Sequence, residues 1–492
     1  MNMPVTPVPV VKLPPSLNYI GGEWRDDPAA ERIEVRDPAT DAVIGHIPCS
    51  GAATVDQAVR AAHTAFADPA WRDLPLIARE RLIHRLADLL EANAAEMAAI
   101  ESLDNGKPLM FSSTLDVPLS AAWFRYFAGW PTKLSGKSLN AAVHGPGFHC
   151  YTLREPVGVV GLIVPWNFPL VLAVWKLAPA LAAGCTVVLK PAEQTPYSAL
   201  RLAQLIEEAG FPKGVVNVVL GDGCTGQAIV DHPGIAKISF TGSTAVGKRI
   251  LGSVAKDLKR VTLELGGKSP TIILPDADLQ QAIPGAAQAV FLNSGQICFA
   301  GTRLLVPRKQ LDAVLEGIAG VVGSFKIGAG LEPDTMLGPV ISQRQADSVM
   351  AKVEASTRAG AAVFTGGKRL SRAGYFIEPT ILVTEDRQNP AFREEFFGPV
   401  LTATPYDDIN DIAALANDSD YGLGAHVYTR DLSAAHQLAR KIQAGTVWVN
   451  TQLTPDPNLP FGGFKQSGWG RENGEDVFAH YLETKTVMMK IA

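Results

Sequence analysis

Hydrophobic and polar positions alternate in two ways along the middle of the chain, beginning near Pro156. Short apolar runs rich in β-branched residues predict buried strands, and longer runs with apolar positions three or four apart predict helices between them. The strand-like runs are VGVVGLIV (157–164), TVVLKP (186–191), VVNVVLG (215–221) and AKISFTGS (236–243). The helix-like runs are LVLAVWKLAPALAAG (170–184) and SALRLAQLIEEAG (198–210). This alternation predicts a doubly wound α/β sheet, whose strand ends are the usual place for ligands.

Helical periodicity dominates before this region, and a second alternating region follows it. Residues 54–67 and 78–101 carry amphipathic patterns, which predict helices that cover the sheet. From Ser269 onward, the strand-like runs PTIIL, TRLLVP, TATPY and TVWVN surround the helical run ADSVMAKVEASTRAG. The pattern predicts a second α/β unit, and we expect this unit to hold the reacting chemistry.

Two extended segments stand outside this alternation. Residues 134–156 carry the glycine and proline punctuation of two extended arms joined by a turn, and residues 483–492 form another short strand-like piece. Exposed strand edges favour pairing, so we expect these segments to form a small β arm between copies of the chain, in a homodimer or a homotetramer.

Composition narrows the expected partners to small molecules and other copies of the chain. Among 492 residues, 44 are basic and 49 acidic, and no basic run suggests binding to nucleic acid or to a membrane surface. The apolar stretch 170–189 is long enough for a membrane span, but it contains Lys176, Pro179 and Gly184. A buried helix followed by a strand is the better interpretation.

The cysteines and the first residues bear on the compartment. Five cysteines are too few and too scattered for a disulfide framework, and no CxxC or Cys/His cluster offers a metal site. A reducing, cytoplasmic setting is expected. Repeated prolines in residues 1–24 interrupt any apolar core of a signal peptide, so we expect a loose leader that then docks.

Two segments carry the chemistry most specifically. VTLELGGKSP contains Glu264, and NSGQICFAGTR contains Cys298, which follows 34 positions later (298 minus 264). A thiolate can add to an aldehyde carbonyl as a thiohemiacetal, hydride can then leave, and a carboxylate can activate the water that hydrolyses the thioester. A lone cysteine is more often an inert, buried hydrophobe, and the neighbouring glycines and polar residues favour the reactive interpretation here.

These segments resemble motifs of the aldehyde dehydrogenase superfamily, and the resemblance extends over essentially the whole chain. PWNFPL (165–170), KPAEQTP (190–196), FTGSTAVG (240–247), EEFFGPV (394–400) and PFGGFKQSGWGRE (460–472) match family motifs in the family's order. The resemblance implies two doubly wound α/β domains with a small β oligomerisation arm. It assigns 1–132 and 154–265 to an NAD-binding domain, 266–475 to a catalytic domain, and 133–153 with 476–492 to the arm.

The resemblance also implies catalytic roles for five residues. Cys298 is similar to the nucleophile of the family and Glu264 to its general base. Asn167 is similar to the residue that stabilises the oxyanion, although it could instead be a turn former before Phe-Pro. Lys176 and Glu472 resemble a proton path toward water, although they could also be a structural ion pair.

NAD is the cofactor that the resemblance implies, although the chain lacks the usual GxGxxG fingerprint. Gly242 and Ser243 are expected at a strand-to-helix turn, where free N–H groups can receive a phosphate. Glu193 favours NAD over NADP, because a carboxylate accepts a ribose hydroxyl and repels a 2′-phosphate. The residues assigned to the cofactor are Pro165, Trp166, Lys190, Glu193, Gly242, Ser243, Glu395 and Phe397.

The substrate positions are aromatic or apolar. They are Phe168, Trp175, Ile297, Phe299 and Phe461. They suggest an apolar aldehyde, and the chain is similar to the phenylacetaldehyde dehydrogenases within the superfamily, although such residues also occur simply as core. An NADP-preferring or broad-specificity enzyme, thioester transfer to coenzyme A and a non-catalytic NAD-binding relative are the alternatives. Glu264 argues against the coenzyme A reaction, and the complete catalytic set argues against the non-catalytic protein.

Overall fold

A computed structural model describes residues 11–144 and 147–491, and its largest feature is an eight-stranded sheet. The first ten residues of the expected leader lie outside the described part, whereas Asn18–Ile20 and Glu23–Arg25 form a hairpin at one edge of this sheet. The five central strands are parallel, and the short edge strands are antiparallel. Their spatial order is Glu23–Arg25, Asn18–Ile20, Val216–Val218, Thr186–Lys190, Val159–Ile163, Lys237–Thr241, Arg260–Glu264, Gly468–Trp469.

The order of strands in the first sheet changes direction at Val159–Ile163, because later strands are added first on one side of it and then on the other. Thr186–Lys190 and Val216–Val218 extend the sheet on one side, and Lys237–Thr241 and Arg260–Glu264 extend it on the other. Such a reversal leaves a crevice at the carboxyl ends of the two strands that flank it. The PWNF and TGS motifs follow these two strands directly, so the fold places both motifs at the crevice.

A second sheet of seven strands is built from the later part of the chain. Its order is Ala362–Thr365, Thr380–Val383, Val400–Tyr406, Arg303–Pro307, Pro270–Ile273, Gly424–Tyr428, Thr446–Val449. All neighbouring pairs are parallel except the first. The predicted domain boundary at 265/266 falls between the two sheets and stays a prediction. Gly468–Trp469, which the prediction places with the catalytic part, pairs with the first sheet.

The predicted arm is a three-stranded antiparallel sheet. Leu482–Lys490 pairs along its whole length with Phe148–Pro156, and Ser138–Leu139 pairs with the other edge of Phe148–Pro156. The C-terminal segment thus completes a sheet within its own chain, and its outer edge has no strand partner in the described part of the arm. Two smaller ladders join Arg32–Arg36 to Val43–Pro48 and Tyr421–Gly422 to Phe464–Lys465.

Helices cover the sheets and close the core. The α-helices are Ala52–Ala67, Pro69–Arg72, Leu76–Ala92, Ala94–Asn105, Leu109–Phe111, Val117–Ala128, Pro169–Ala183, Tyr197–Ala209, Gly223–Asp231, Thr244–Val254, Leu279–Phe291, Leu311–Gly323, Gln343–Arg358, Pro390–Arg393, Ile412–Asn417 and Leu432–Lys441. Pro169–Ala183 is buried at every position, because it packs between the first sheet and the helices that precede it. It ends at Gly184 with φ 90°, and the apolar stretch then continues as a strand.

No helix in residues 11–144 and 147–491 is both long and apolar enough to cross a bilayer. The stretch 170–189 is observed as the buried helix Pro169–Ala183 followed by the buried strand Thr186–Lys190.

Candidate active site

A left-handed turn presents Cys298. The helix Leu279–Phe291 ends, and Asn293, Ser294 and Gly295 follow with φ values of 49°, 55° and 74°. Non-glycine residues rarely adopt such values, so the surroundings must hold the turn in place. Ser294 Oγ donates to the carbonyl of Gly338 at 2.7 Å, and this contact anchors the turn. The turn directs the partly exposed Cys298 side chain toward two cavities, which meet at this residue.

Close packing surrounds the backbone of Cys298. A Cβ added to Gly267 would lie 2.2 Å from the Cys298 carbonyl oxygen, so only glycine fits there. Burial, together with the nearby carboxyl groups of Glu264 and Glu395, raises the pKa of the Cys298 thiol. The resting side chain is therefore a thiol, and its activation requires a proton acceptor or a change of environment on ligand binding.

Glu264 ends the strand Arg260–Glu264 and lines the narrower of the two cavities together with Cys298. Its side chain is buried, and neither carboxyl oxygen has a hydrogen-bond partner in the protein. Burial raises its pKa, and the negative charge of Glu472 raises it further. A carboxyl group without partners but next to a thiol is suited to take a proton from a bound water molecule.

Asn167 stands in the loop between the strand Val159–Ile163 and the helix Pro169–Ala183. Asn293 Nδ2 donates to the Asn167 carbonyl at 2.9 Å, which ties this loop to the turn before Cys298. One hydrogen of Asn167 Nδ2 is donated to the Gln296 carbonyl at 2.9 Å, and the amide oxygen has no partner. An amide carries two N–H donors, so the second remains for a ligand. Asn167 lines both cavities.

The larger cavity, here named the large cavity, holds about 420 Å³ and lies at the crevice of the first sheet. Gly242 and Ser243 line it, and Ser243 Oγ caps the helix Thr244–Val254 by accepting from Val246 N at 3.4 Å. The free N–H groups at this helix start suit a phosphate. The cavity is lined by Pro165, Trp166, Asn167, Gln194, Thr241, Gly242, Ser243, Leu265, Gly266, Cys298, Ile341, Ser342, Arg344, Gln345, Ser348, Lys352, Glu395, Phe396 and Phe397.

Glu395 and Phe397 form the wall opposite the first sheet. Phe397 has φ 53° and meets Trp166 edge-on, with ring centroids 5.3 Å apart. Glu395 Oε1 accepts from the backbone N–H of Gly267 at 2.9 Å, and burial raises the pKa of this carboxyl group to about 7. Arg344 and Lys352 also line the cavity, and no sequence motif marked these two cations. Their charge suits an anionic ligand.

Lys190 and Glu193 do not line the large cavity, although both were assigned to the cofactor. Lys190 is buried at the end of its strand and donates to the Pro191 carbonyl at 2.9 Å. Its Nζ is 3.6 Å from Glu193 Oε2, and burial lowers the Lys190 pKa. The next residue, Gln194, does reach the cavity wall, so the pair lies just beyond the cavity at the neighbouring strand end.

The second cavity, here named the narrow cavity, is almost entirely apolar and holds about 50 Å³. The structure brings together all five residues that were assigned to the substrate, which are Phe168, Trp175, Ile297, Phe299 and Phe461. The ring centroid of Phe461 lies 5.2 Å from that of Trp175 and 5.5 Å from that of Phe299. Sequence reasoning missed the other hydrophobic lining residues, which are Leu115, Leu119, Val171, Leu172, Leu292, Leu453 and Pro455.

Lys176 and Glu472 form a buried ion pair behind Glu264. Ser239, which no motif indicated, joins them. Its Oγ is 3.1 Å from Lys176 Nζ and donates to Glu472 Oε1 at 2.8 Å. Because Glu472 raises the Glu264 pKa and Lys176 lowers it, the three ionisable groups are electrostatically linked.

A second buried ion cluster lies under the Asn167 loop, and it was also missed. Lys107 Nζ is 3.0 Å from Glu101 Oε1, contacts Asp116 and lies 4.4 Å from the ring centroid of Phe168. The cluster thereby supports Phe168 at the narrow cavity. Within the residues that the structure covers, no group of three His, Cys, Asp or Glu side chains is arranged to hold a metal ion.

Comparisons with known proteins agree on one family. The family model described as "Aldehyde dehydrogenase family" matches residues 24–487. A phenylacetaldehyde dehydrogenase of Pseudomonas fluorescens is 46% identical over 99% of this chain and 98% of its own length. The cytosolic aldehyde dehydrogenase 1 of Mus musculus is 42% identical over 99% of this chain and 98% of its own length. The NAD+ complex of an aldehyde dehydrogenase from Bacillus cereus has a TM-score of 0.95 and 44% identity, covering 97% of this chain and 96% of that chain.

Proposed function

Because the chain belongs to the aldehyde dehydrogenase family, we propose that it oxidises an aldehyde to a carboxylic acid with NAD, through a thioester on Cys298. The family and the fold expected from the sequence motifs are confirmed. The observation that carries the proposal is the position of Cys298. Its side chain lines both the large cavity and the narrow cavity, so one thiol faces a site for a cofactor and a site for an aldehyde.

The first half of the reaction builds a tetrahedral centre. The Cys298 thiol gives its proton to a water molecule in the cavity, and Sγ bonds to the aldehyde carbon while the carbonyl oxygen becomes negative. The free N–H of Asn167 Nδ2 and the backbone N–H of Cys298 stabilise that oxygen. Ser243 and Glu395 would hold NAD in the large cavity, where it would supply the acceptor for the hydride that leaves the tetrahedral carbon. Collapse of the centre then leaves an acyl group joined to Cys298 as a thioester.

The second half of the reaction needs water and a base. Glu264 takes a proton from water, the resulting hydroxide attacks the thioester carbon, and the C–S bond breaks to release the acid and Cys298. In sum, aldehyde, NAD+ and water give the acid, NADH and a proton. We assign the onward path of the proton to Lys176, Ser239 and Glu472, which are bonded to one another. A water molecule has to bridge Glu264 to them, because its carboxyl oxygens contact none of the three.

The large cavity fits the cofactor on its own chemistry. It combines a helix start at Ser243, the cations Arg344 and Lys352, and the carboxyl group of Glu395. We assign a phosphate to the helix start and a ribose hydroxyl to Glu395. Glu193 would accept a hydrogen bond from a hydroxyl of the adenosine ribose. NAD is favoured over NADP, because this carboxylate repels the 2′-phosphate of NADP. Equal rates with NAD and NADP would remove this assignment.

The proposed substrate is an apolar, aromatic aldehyde such as phenylacetaldehyde. The lining of the narrow cavity supports it, since Phe168, Trp175, Phe299 and Phe461 bring four aromatic rings to the wall. Aromatic walls favour a ligand ring through apolar burial and ring–ring contact. The phenylacetaldehyde dehydrogenase of Pseudomonas fluorescens, 46% identical, is a relative with such a name.

A homodimer or homotetramer in the cytoplasm is also proposed. The β arm exposes Leu153, Met488 and Met489, whose relative exposures are 40%, 47% and 42%. A second copy could cover such apolar side chains beside an unpaired strand edge. Cys49 and Cys224 are unpaired and reach the surface, which suits a reducing compartment. Mass measurement in solution, with a variant truncated before residue 483, tests the assembly.

Initial rates of NADH formation across a small aldehyde panel test the function. The panel contains phenylacetaldehyde, benzaldehyde, hexanal, acetaldehyde and betaine aldehyde, each measured with NAD and with NADP. A preference for phenylacetaldehyde with NAD is the expected result. Broad activity, or a preference for betaine aldehyde, would agree with the proposed mechanism but would contradict the proposed aromatic substrate. Normal NAD binding without activity toward any aldehyde would indicate a non-catalytic relative.

A further inference from the structure

A histidine lies directly behind the aromatic wall of the narrow cavity. His426 is completely buried in the strand Gly424–Tyr428, and the sheet register places it opposite Trp448 in the neighbouring parallel strand. The two rings are stacked, with centroids 5.0 Å apart and an interplanar angle of 11°. Trp448 stacks in turn on Phe299 at 5.4 Å. The three rings form a column that ends at the cavity, because only Phe299 lines it.

Hydrogen bonds fix this column at its buried end, His426, and at its middle ring, Trp448. His426 Nε2 is 3.2 Å from the carbonyl oxygen of Phe299, the residue after Cys298. A carbonyl only accepts, so Nε2 carries the proton and donates. Trp448 Nε1 donates to the Thr454 carbonyl at 3.2 Å. Thr454 lies between Leu453 and Pro455, which also line the cavity. The column therefore holds two separate segments of the cavity wall.

His426 is a neutral donor at physiological pH. Burial lowers its pKa to about 4, against the weaker effect of the carbonyls of Phe299 and Thr451. Thr271 is its partner in the strand on the other side, and no charged group contributes to its pKa. A neutral, buried ring that does not touch the cavity has no proton to exchange with a substrate. Its contacts suit a positioning role.

We infer that His426 is a positioning residue that makes the narrow cavity selective for aldehydes with an aromatic ring. The inference rests on the proposed function and concerns the same site. His426 donates a hydrogen bond to the Phe299 carbonyl and stacks on Trp448, which stacks on the Phe299 ring. These contacts fix the position and orientation of the Phe299 ring. An aromatic substrate needs the Phe299 ring in a fixed orientation, because contact between two rings requires a defined distance and angle. Acetaldehyde has no ring, so it depends on the catalytic residues and not on the position of the Phe299 ring.

Selectivity is the quantity that tests this role. It is the ratio of kcat/KM for phenylacetaldehyde to kcat/KM for acetaldehyde, measured with saturating NAD. His426→Ala removes both contacts, and we expect the ratio to fall about five- to tenfold, mainly through KM for phenylacetaldehyde. His426→Gln keeps an N–H donor of similar reach but loses the stack on Trp448, and we expect its ratio to lie between those of His426→Ala and the wild type.

Val427→Ala is the matched control. Val427 is the next residue on the same strand, is equally buried and packs on the opposite face of the sheet. The Val427→Ala substitution removes core volume but no contact with Trp448 or Phe299, so the selectivity ratio should stay at the wild-type value. Thermal unfolding and NAD binding of each variant report whether the fold is intact. If His426→Ala does not fold, His426→Phe, which keeps a ring and removes the donor, takes its place and should lower the ratio.

The outcomes separate this inference from the proposed function. A wild-type enzyme that oxidises no aldehyde would overturn the proposed function. An active wild type whose ratio is unchanged in His426→Ala would overturn the role of His426 alone. An equal fall of the ratio in Val427→Ala would also overturn it, since the effect would then be one of general core packing.

Discussion

Replacing Glu264 by glutamine should separate the two halves of the reaction. The side chain is buried, and both carboxyl oxygens lack partners, so the amide replaces the acid without breaking a hydrogen bond of the protein. The shape of the narrow cavity stays the same, and only the proton acceptor is lost. Positioned general bases typically contribute about 10²–10⁴-fold. We expect hydrolysis of the thioester to slow by about that factor, while the first hydride transfer is much less affected.

Stopped-flow measurement of NADH formation with phenylacetaldehyde resolves the two phases. The Glu264→Gln variant should show a burst close to one NADH per active site, followed by a steady rate about 10²–10⁴-fold below wild type. Cys298→Ala, as the control, should show no burst. If Glu264→Gln slowed the burst and the steady rate by the same factor, the assignment of Glu264 to hydrolysis would be wrong.

The pH dependence follows from the environment of Glu264. Burial and the charge of Glu472 raise its pKa, so the proton-accepting carboxylate predominates only above that raised pKa. Wherever hydrolysis limits the wild type, its rate should therefore rise with pH and level off above the pKa. The Glu264→Gln variant should lack this rise. A wild-type rate that fell over the same interval would contradict the role of the carboxylate.

Three further changes have defined outcomes. Cys298→Ala should abolish turnover and leave the Kd for NAD, measured by calorimetry, within about twofold of wild type; full activity would exclude the covalent mechanism. Asn167→Ala should lower kcat by about 10²–10³-fold, equivalent to about 2.7–4 kcal/mol, and a fall below about threefold would remove it from the oxyanion site. The pKa of Glu395 is raised to about 7, and we propose that its carboxylate accepts a ribose hydroxyl, so KM for NAD should fall as pH increases through that value. Glu395→Gln should remove this dependence.

Local pattern was enough to predict several elements that position the site, but not the strand Arg260–Glu264 that carries Glu264. TVVLKP is observed as Thr186–Lys190, and the apolar stretch after Phe168 is observed as Pro169–Ala183. Both are buried on all sides, which is why continuous apolar runs mark them. The strands Ala362–Thr365 and Thr380–Val383 were missed, because they are short and stand near or at an edge of the second sheet, where sequence patterns are weak.

The predicted residues that line the two cavities could be picked out because they stand in motifs that resemble the family. Ser239, His426 and Trp448 could not, since contacts between distant segments bring them to the site. The left-handed turn at 293–295 was also hidden, because two of its three residues are not glycine. Tertiary packing decides these features, and no local signal records it.

Mass spectrometry of the acylated protein tests the central claim most directly. The Glu264→Gln variant is mixed with phenylacetaldehyde and NAD, quenched in acid and digested. Our account predicts one added phenylacetyl group, located on the peptide that contains Cys298, in amounts that match the NADH burst. NADH formation without an acyl group on Cys298, or with the group on another cysteine, would contradict the account.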